Sequence, residues 1–146
     1  MSTVTKPVFG KAISNANSWI NEIARRLKHN DKGEALRVLR VVLHALRDRL
    51  TIEEAVQLSA QLPLVIRGMF FEGWSPFDAV KTDGRLNAFF AEIAKHLPTL
   101  TERERTRAVQ VVFDVLAHHV SQGEVDDIAA VLPASLKEFW FTTVAD

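Results

Sequence analysis

The sequence aligns with itself when it is shifted by 70 positions, and this repetition limits the possible folds more than any other feature. Residues 13–74 match residues 83–144 without a gap, with fifteen identities that include Glu54/Glu124 and Pro63/Pro133. Apolar residues also stand opposite apolar residues at most of the other hydrophobic positions. Self-similarity at a fixed period indicates a repeated structural unit. The sequence therefore predicts two copies of one unit, joined by a linker at residues 75–82.

Each copy has the pattern of four helices, because helix-start signals recur at equivalent places. Asp31-x-x-Glu34 and Thr101-x-x-Glu104 precede the second helix, and Thr51-x-x-Glu54 and Ser121-x-x-Glu124 precede the third. In such a capping box the first side chain accepts a backbone N–H, and the glutamate returns a hydrogen bond. Pro63 and Pro133 suit the first position of the fourth helix. We predict helices at 13–28, 33–49, 52–60, 63–72, 83–97, 102–119, 122–131 and 133–142, with room for one helical turn after Pro76.

The second helix of each copy is apolar around most of its circumference. A surface helix has one apolar stripe, so helices 33–49 and 102–119 need neighbours on several sides. We therefore expect one all-α domain over residues 1–146, a tandem duplication of a four-helix unit with about eight helices. The two copies should pack about an approximate two-fold axis and share one core.

Composition excludes several classes of protein. The 146 residues are 47% hydrophobic and 25% charged, which is typical of a globular domain. Eighteen basic residues balance eighteen acidic ones, and there is no cysteine for a disulfide or a thiolate site. Residues 1–11 carry no apolar segment of the signal-peptide type, and no apolar run approaches the roughly 20 residues of a membrane helix. We expect a cytoplasmic protein that does not contact a membrane.

Motifs for catalysis are missing from the sequence. It has no Gly-x-Ser-x-Gly elbow, no phosphate-binding glycine loop and no His-Glu-x-x-His. The acidic pairs Glu53-Glu54 and Asp126-Asp127 lie in first helical turns, where the helix dipole favours negative charge. We therefore expect no enzyme, no catalytic residue and no cofactor.

The histidines raise the question of a metal site. The repeat places His44 opposite Asp114 and Asp48 opposite His118, which keeps one opposite-charge i, i+4 pair in each copy. In the alternative, both histidines and both aspartates converge on a metal across the two-fold axis. Spacing alone does not supply the geometry of such a site, and we expect no metal.

A narrow polar stripe remains on the second helix of the first copy. Arg37, Arg40, His44 and Arg47 form this candidate stripe. Nucleic-acid binding is raised by the basic residues at the end of the first helix and along the second, which are Arg25, Arg26, Lys28, Arg37, Arg40, Arg47 and Arg49. Residues 13–74 carry nine basic and seven acidic residues, and residues 83–144 carry six and nine. This asymmetry is far smaller than the basic excess of most DNA-binding domains, so it argues against a nucleic-acid partner.

Aromatic residues at the fourth helices form the candidate interaction surface. Phe71 and Phe141 occupy equivalent positions and lie off the core face of their helices, and Trp74 follows Gly73 at a helix end. Packing between the copies explains them in one interpretation. In the other, Phe71, Trp74 and Phe141 contact a partner protein, since aromatic residues are enriched at interfaces.

Three blocks of the sequence resemble a known family. His44-Ala-Leu-Arg-Asp-Arg-Leu50, Ala60-Gln-Leu-Pro63 and Arg67-Gly-Met-Phe-Phe-Glu-Gly-Trp74 are similar to the bacterial domain-of-unknown-function 2267 family. The resemblance covers nearly the whole chain. It implies a small all-helical bacterial protein, and it carries over no reaction, cofactor or catalytic residue.

These observations lead to two hypotheses for function. The first is a non-catalytic helical scaffold or protein-interaction module, whose partner is an unknown protein or a second copy of the chain. The alternative is a carrier of a small apolar ligand, with a cavity between the two repeats.

Overall fold

A computed structural model describes residues 5–79 and 82–144, and every regular element in those two ranges is a helix. The helices are α1 (Thr5–Arg26), α2 (Lys32–Arg47), α3 (Ile52–Ala60), α4 (Leu64–Phe70), α5 (Pro76–Ala79), α6 (Leu86–His96), α7 (Glu102–His119), α8 (Gln122–Val131) and α9 (Ala134–Val144). The all-helical prediction is confirmed, and the predicted bounds of α3, α7 and α8 are those observed. Within the same ranges, none of the helices combines the length and the hydrophobicity that a membrane crossing requires.

The largest difference from the predicted bounds is at α1. The apolar periodicity predicted a helix from residue 13, whereas α1 begins at Thr5. Residues 6–11 are exposed, so they are not part of the buried apolar face from which the helix was predicted. Pro7 is compatible with this early start, because proline is tolerated in the first turn of a helix.

Side-chain caps fix the starts of four helices. The side chains of Asp31, Thr51, Thr101 and Ser121 each accept a backbone N–H two or three residues later. In the described residues only α7 has the complete capping box, in which Glu104 also accepts from the Thr101 N–H at 2.8 Å. The prediction of four reciprocal boxes is therefore wrong at the other three sites.

The prolines lie one position earlier than predicted. Pro63 is the N-cap of α4, and Pro133 directly precedes α9. Their carbonyl groups accept the first bonds of those helices, from the N–H groups of Arg67 and Lys137 at 2.8 Å each. Proline thus starts both helices from just outside them, where its missing N–H costs nothing.

Helices α2 and α7 lie at the centre of the packing. α2 contacts α1, α4, α6 and α7, and α7 contacts α1, α2, α6 and α9. Their buried side chains belong to a single hydrophobic cluster that also includes Trp19, Phe70, Phe89 and Trp140. The expectation that these two helices are covered on several sides is met.

Several polar contacts join the parts of the chain before and after the linker, and two of them involve core aromatic rings. Arg49 Nη1 donates to Glu92 Oε2 at 2.9 Å, and its guanidinium lies over the ring of Phe89. His119 Nε2 lies 2.8 Å from Glu22 Oε2, and its ring stacks on Trp19 at a centroid distance of 4.6 Å. Each contact places a polar group against a core aromatic ring. The Arg49 contact thereby orients α6, and the His119 contact orients α1.

Trp140 and Phe141 give a direct test of the core. Trp140 is fully buried, whereas 45% of Phe141 is exposed. We expect Trp140→Ala to lower the free energy of unfolding by about 3–5 kcal/mol, because it leaves a large cavity. Phe141→Ala should change it by no more than about 0.5 kcal/mol. Urea unfolding of both variants measures this, and equal losses would contradict the placement of these two side chains.

Candidate functional site

The candidate site lies where α3 packs against α8. Glu54 and Glu124 occupy the third position of these helices, three residues after the N-caps Thr51 and Ser121. Gln61, at the end of α3, is bonded in both directions to Ser121: its Oε1 accepts from the Ser121 N–H at 2.7 Å, and its Nε2 donates to Ser121 Oγ at 3.2 Å. These contacts fix the start of α8 against α3.

The two glutamate side chains are buried instead of turning back to their caps. Glu54 is 7% exposed and Glu124 is 4% exposed. In the described residues no backbone N–H, side-chain N–H or hydroxyl group donates to Glu54 Oε1 or Glu124 Oε2. This is the reason that the predicted capping boxes are incomplete at α3 and α8. The packing of α3 against α8 places both carboxyl groups at the contact between these two helices, away from their caps.

A third carboxylate completes the cluster. Asp127 follows Glu124 by three residues on α8, so the two side chains share one face of the helix. One carboxyl oxygen from each of Glu54, Glu124 and Asp127 lies within 4.8 Å of the others. Asp127 is exposed, so the cluster opens to solvent on its side.

The burial of like charges changes the protonation of the pair. Burial, together with the hydrogen bond and the negative charge of Glu54 and the charge of Asp127, raises the pKa of Glu124 to about 8. Glu124 therefore keeps its proton to a higher pH than a free glutamate does, and that proton is shared in the hydrogen bond with Glu54. The pair holds one proton between two acidic side chains.

The sequence pattern assigned Glu54 and Glu124 to capping and placed Asp127 in the first turn of its helix. The second assignment is wrong, because α8 begins at Gln122 and Asp127 lies in its second turn. A signal for the site was present, since Glu54 stands on the same face of α3 as Ala55 and Leu58, which are buried. Glu124 has the same relation to Val125 and Ile128 on α8. A glutamate within an apolar face marks a buried carboxyl group even where it also fits a capping motif.

The predicted polar stripe is not a free surface. Arg47 is buried, and its Nη1 donates to the carbonyls of Phe70 and Glu72 at 2.8 Å each. His44 Nε2 lies 2.7 Å from the Met69 carbonyl, and Arg40 pairs with the Glu72 side chain at 3.0 Å.

The stripe instead satisfies backbone groups at the end of α4. The last carbonyls of a helix have no partners within it, and His44 and Arg47 supply those partners here. Burial lowers the pKa of His44, so its ring is neutral at neutral pH and can donate from Nε2. Arg37 is exposed and takes no part in this contact. The interpretation of these four residues as an outward stripe is corrected, because α4 covers most of it.

The aromatic candidates do not form one surface. Phe71 and Trp74 are half-buried and pack against the core and against each other, with ring centroids 5.0 Å apart. Phe141 is exposed on α9 and has no ring contact with either of them in the described residues. Gly73, at φ 67°, ends α4 so that Trp74 can fold back beside Phe71.

A protein-family model described as "Uncharacterized conserved protein (DUF2267)" matches residues 16–139. The chain belongs to the DUF2267 family. The resemblance seen in the sequence is thereby confirmed, and the matched span includes all three acidic residues of the site. A search of curated proteins gave no match.

The histidines and aspartates of this DUF2267 protein do not converge. His118 lies 3.7 Å from Asp114 as the predicted i, i+4 pair, but Asp114 also pairs with Arg26 at 2.6 Å. Asp48 pairs with Arg47, while His44 contacts α4. Among the described residues, the one group of three or more possible metal ligands is the carboxylate cluster. The alternative, a metal site formed by both histidines and both aspartates, is therefore wrong.

Glu124→Gln should make the protein more stable at alkaline pH. The folded carboxyl has a pKa of about 8 and the unfolded one a pKa of about 4.5, so between these values the folded chain keeps a proton that the unfolded chain has lost. Stability therefore falls as pH rises through this window. The substituted side chain carries a neutral amide that can donate to Glu54, so we expect a gain of about 1–3 kcal/mol at pH 8 that vanishes near pH 4.5.

Urea unfolding between pH 4.5 and 8.5 in the presence of EDTA measures this difference. Glu53→Gln is the matched control, because Glu53 is exposed on the neighbouring helix α3 and should show no such pH dependence. A Glu124→Gln variant that is less stable than the wild type at pH 8 would contradict the buried, protonated state.

Arg47 and Arg37 provide a matched pair for the contact with α4. Arg47→Met leaves the Phe70 and Glu72 carbonyls without their donor, so we expect a loss of about 2–3 kcal/mol in the free energy of unfolding. Arg37→Met should cost no more than about 0.5 kcal/mol. Thermal and urea unfolding measure both losses. Equal losses would contradict the burial of Arg47 beneath α4 and would indicate that it lies on the exposed stripe.

Proposed function

We propose that the chain is a non-catalytic helical interaction module that binds a second copy of itself through the exposed start of α1. The α1 arm is defined here as residues 5–15. The observation that carries the proposal is that the apolar seam of α1 continues from the core into this arm and is uncovered there.

The seam is regular over its whole length. Phe9, Ile13, Ala16, Ile20 and Ile23 follow one another at spacings of four, three, four and three residues. This is the a/d spacing with which two helices pack side by side. Ile23 is buried and Ala16 and Ile20 pack against the core, whereas Phe9 is 47% exposed and Ile13 57% exposed.

The apolar side chains of the arm, Val8, Phe9 and Ile13, are 47–60% exposed, so packing within one chain stabilises the arm only weakly. Isolated helices shorter than about 12–15 residues are marginal in water, and most helix stability comes from packing of an apolar face. By the repeat alignment, α6 begins at Leu86, which is the counterpart of Ala16, so the arm has no counterpart in α6. A helix packed along Phe9 and Ile13 would bury the uncovered part of the seam.

A second copy of the chain fits this surface. Two arms that pair antiparallel present the same residues to each other, which is the self-complementary arrangement of a two-fold dimer. The charges of the whole chain sum to zero, so no long-range repulsion opposes association. The arm presents only three large apolar residues, Val8, Phe9 and Ile13, and their area is well below the roughly 1,200 Å² of a standard interface. The expected dimer is weak and reversible.

The proposal includes the duplicated architecture. Arg49, Glu92 and Phe89 stand 70 positions from His119, Glu22 and Trp19, and each set forms the same kind of contact across the linker. The helices pair in the same reciprocal way, α1 with α7 and α2 with α6. Both observations support two four-helix copies packed about an approximate two-fold axis. For the location of this module we propose the cytoplasm.

The alternative, an apolar-ligand carrier, has less support. A cleft of about 290 Å³ lies between the end of α1 and the start of α7, with Leu27, Leu100 and Ala108 among its lining residues. Lys28, Glu34, Arg103, Glu104 and Arg107 also line it. Most of the lining surface is apolar, but ligand pockets usually have about 300–1,000 Å³, so this cleft is at the lower limit of size and admits only a very small apolar ligand.

Sedimentation velocity over a range of protein concentrations tests self-association. The wild type should shift reversibly from monomer to dimer as its concentration rises. The double variant Phe9→Ser/Ile13→Ser should remain monomeric with an unchanged melting temperature, because the arm lies outside the core. Phe77→Ser is the control, since Phe77 is 79% exposed and does not belong to the seam.

A wild type that stays monomeric at all concentrations would overturn the self-association proposal. So would a dimer that survives in the double variant, or one that Phe77→Ser disrupts equally.

A further inference from the structure

The acidic cluster between α3 and α8 has an unmet electrostatic requirement. Its two buried members, Glu54 and Glu124, each carry a carboxyl oxygen to which no N–H or hydroxyl group of the described residues donates. The charged neighbours that act on Glu124 are Glu54 and Asp127, and both are acidic. No lysine, arginine or histidine of the described residues forms an ion pair with any of the three.

Buried carboxyl groups normally have a compensating partner. A buried charge without one costs several kcal/mol, and native proteins pair such groups with a cation or use them to coordinate a metal. The helix N-termini beside Glu54 and Glu124 offset part of this cost, but their effect is small and falls off within one turn. The proton that the pair shares neutralises only one of the three carboxyl groups, so the cluster still has no cation among the described residues to compensate the others.

We propose that Glu54, Glu124 and Asp127 bind a divalent cation of the hard class, which prefers oxygen ligands: Mg²⁺, Mn²⁺ or Ca²⁺. This inference is independent of self-association through the α1 arm. It also departs from the expectation of no metal, which rested on the histidines and on the absence of cysteine.

The distances agree with this assignment. Oxygen ligands lie about 2.0–2.6 Å from these cations, so two ligands on opposite sides of one ion are about 4–5 Å apart. The three carboxyl oxygens lie within 4.8 Å of one another, which leaves room for one ion among them without a large movement of either helix.

The donor set agrees as well. All three ligands are carboxylates, the group that hard cations prefer, and the cluster contains no nitrogen or sulfur donor that would favour zinc or copper. Asp127 is exposed at the open side of the cluster. Water molecules can therefore complete the coordination there, as they do in most magnesium and manganese sites.

The two helices hold the ligands in a fixed relation. Glu124 and Asp127 are three residues apart on α8, and Glu54 comes from α3 across the contact that Gln61 and Ser121 secure. A cation bound by all three would join α3 to α8, and hence residues from both sides of the linker. It would stabilise the folded chain, since the unfolded chain separates these ligands.

Titration of the EDTA-treated, dialysed protein with Mn²⁺ alone tests the site, with free Mn²⁺ followed by its electron paramagnetic resonance signal. We expect saturable binding of one ion per chain and a melting temperature that rises with Mn²⁺. Mg²⁺ or Ca²⁺ added afterwards should displace the bound Mn²⁺. The double variant Glu54→Gln/Glu124→Gln should abolish both effects, and Asp127→Asn should weaken binding by about tenfold or more, because even outer-shell partners contribute that much.

Glu53→Gln and Asp126→Asn are the matched controls. Both residues are exposed acidic groups next to the proposed ligands, on the same two helices, and these variants should bind Mn²⁺ as the wild type does. Glutamine has nearly the shape of glutamate, and unfolding in urea checks that the double variant is folded.

Absence of saturable binding in the wild type would overturn the proposal and leave the shared proton as the complete account of the pair. Binding that survives in the double variant, or that Glu53→Gln and Asp126→Asn remove equally, would overturn it too. The Mn²⁺ signal does not depend on the oligomeric state, so the outcome separates this site from the α1 arm.

Discussion

The burial of α2 and α7 is the constraint on which the rest of the structure depends. Each helix is apolar around most of its surface, and each is stable only when neighbours exclude water on several sides. Burial of apolar surface contributes about 25 cal/mol per Å², so two such helices supply a large part of the favourable free energy of folding. α1 and α6 are each packed against both of them, and α4 and α9 cover what remains. α3 packs on α4 and α8 on α9, and the two contact each other, so the polar cluster lies between them and away from α2 and α7.

Local sequence signals predicted most of the helices but not what their side chains do. Thr51, Thr101 and Ser121 act as caps as expected, because an N-cap needs only its own helix. The glutamate of a capping box either accepts from the N-cap backbone N–H or turns toward a neighbouring helix, and tertiary packing determines which of the two occurs. Glu104 stays partly exposed to solvent and completes its box, whereas Glu54 is drawn into the contact between α3 and α8. A pattern confined to one helix cannot distinguish the two outcomes.

Arg47 is a second residue whose role a pattern within one helix does not predict. It was predicted to face outward on the polar side of α2, but it is buried, because the end of α4 covers it and uses it as a hydrogen-bond donor. When the sequence is shifted by 70 positions, Ala117 aligns with Arg47, and Thr143 aligns with Gly73. There α9 continues to Val144, beyond the point that corresponds to the end of α4. A buried donor for the last carbonyls and a glycine at positive φ together account for the earlier end of α4.

The glutamate pair is costly to keep, and that cost is an argument about its role. Well-packed apolar side chains of similar volume in place of a buried ionic group are often neutral or stabilising, so folding alone does not require two carboxyl groups between α3 and α8. Local rules of stability are broken in natural proteins mainly at functional sites. Phe71 and Trp74 also bury one unpaired polar atom, the Trp74 Nε1, but that group is neutral and the two rings bury apolar surface whether or not a partner exists. The carboxylate cluster is therefore the feature of this chain that stability explains least, and the one at which a bound ion would have the largest effect on the fold.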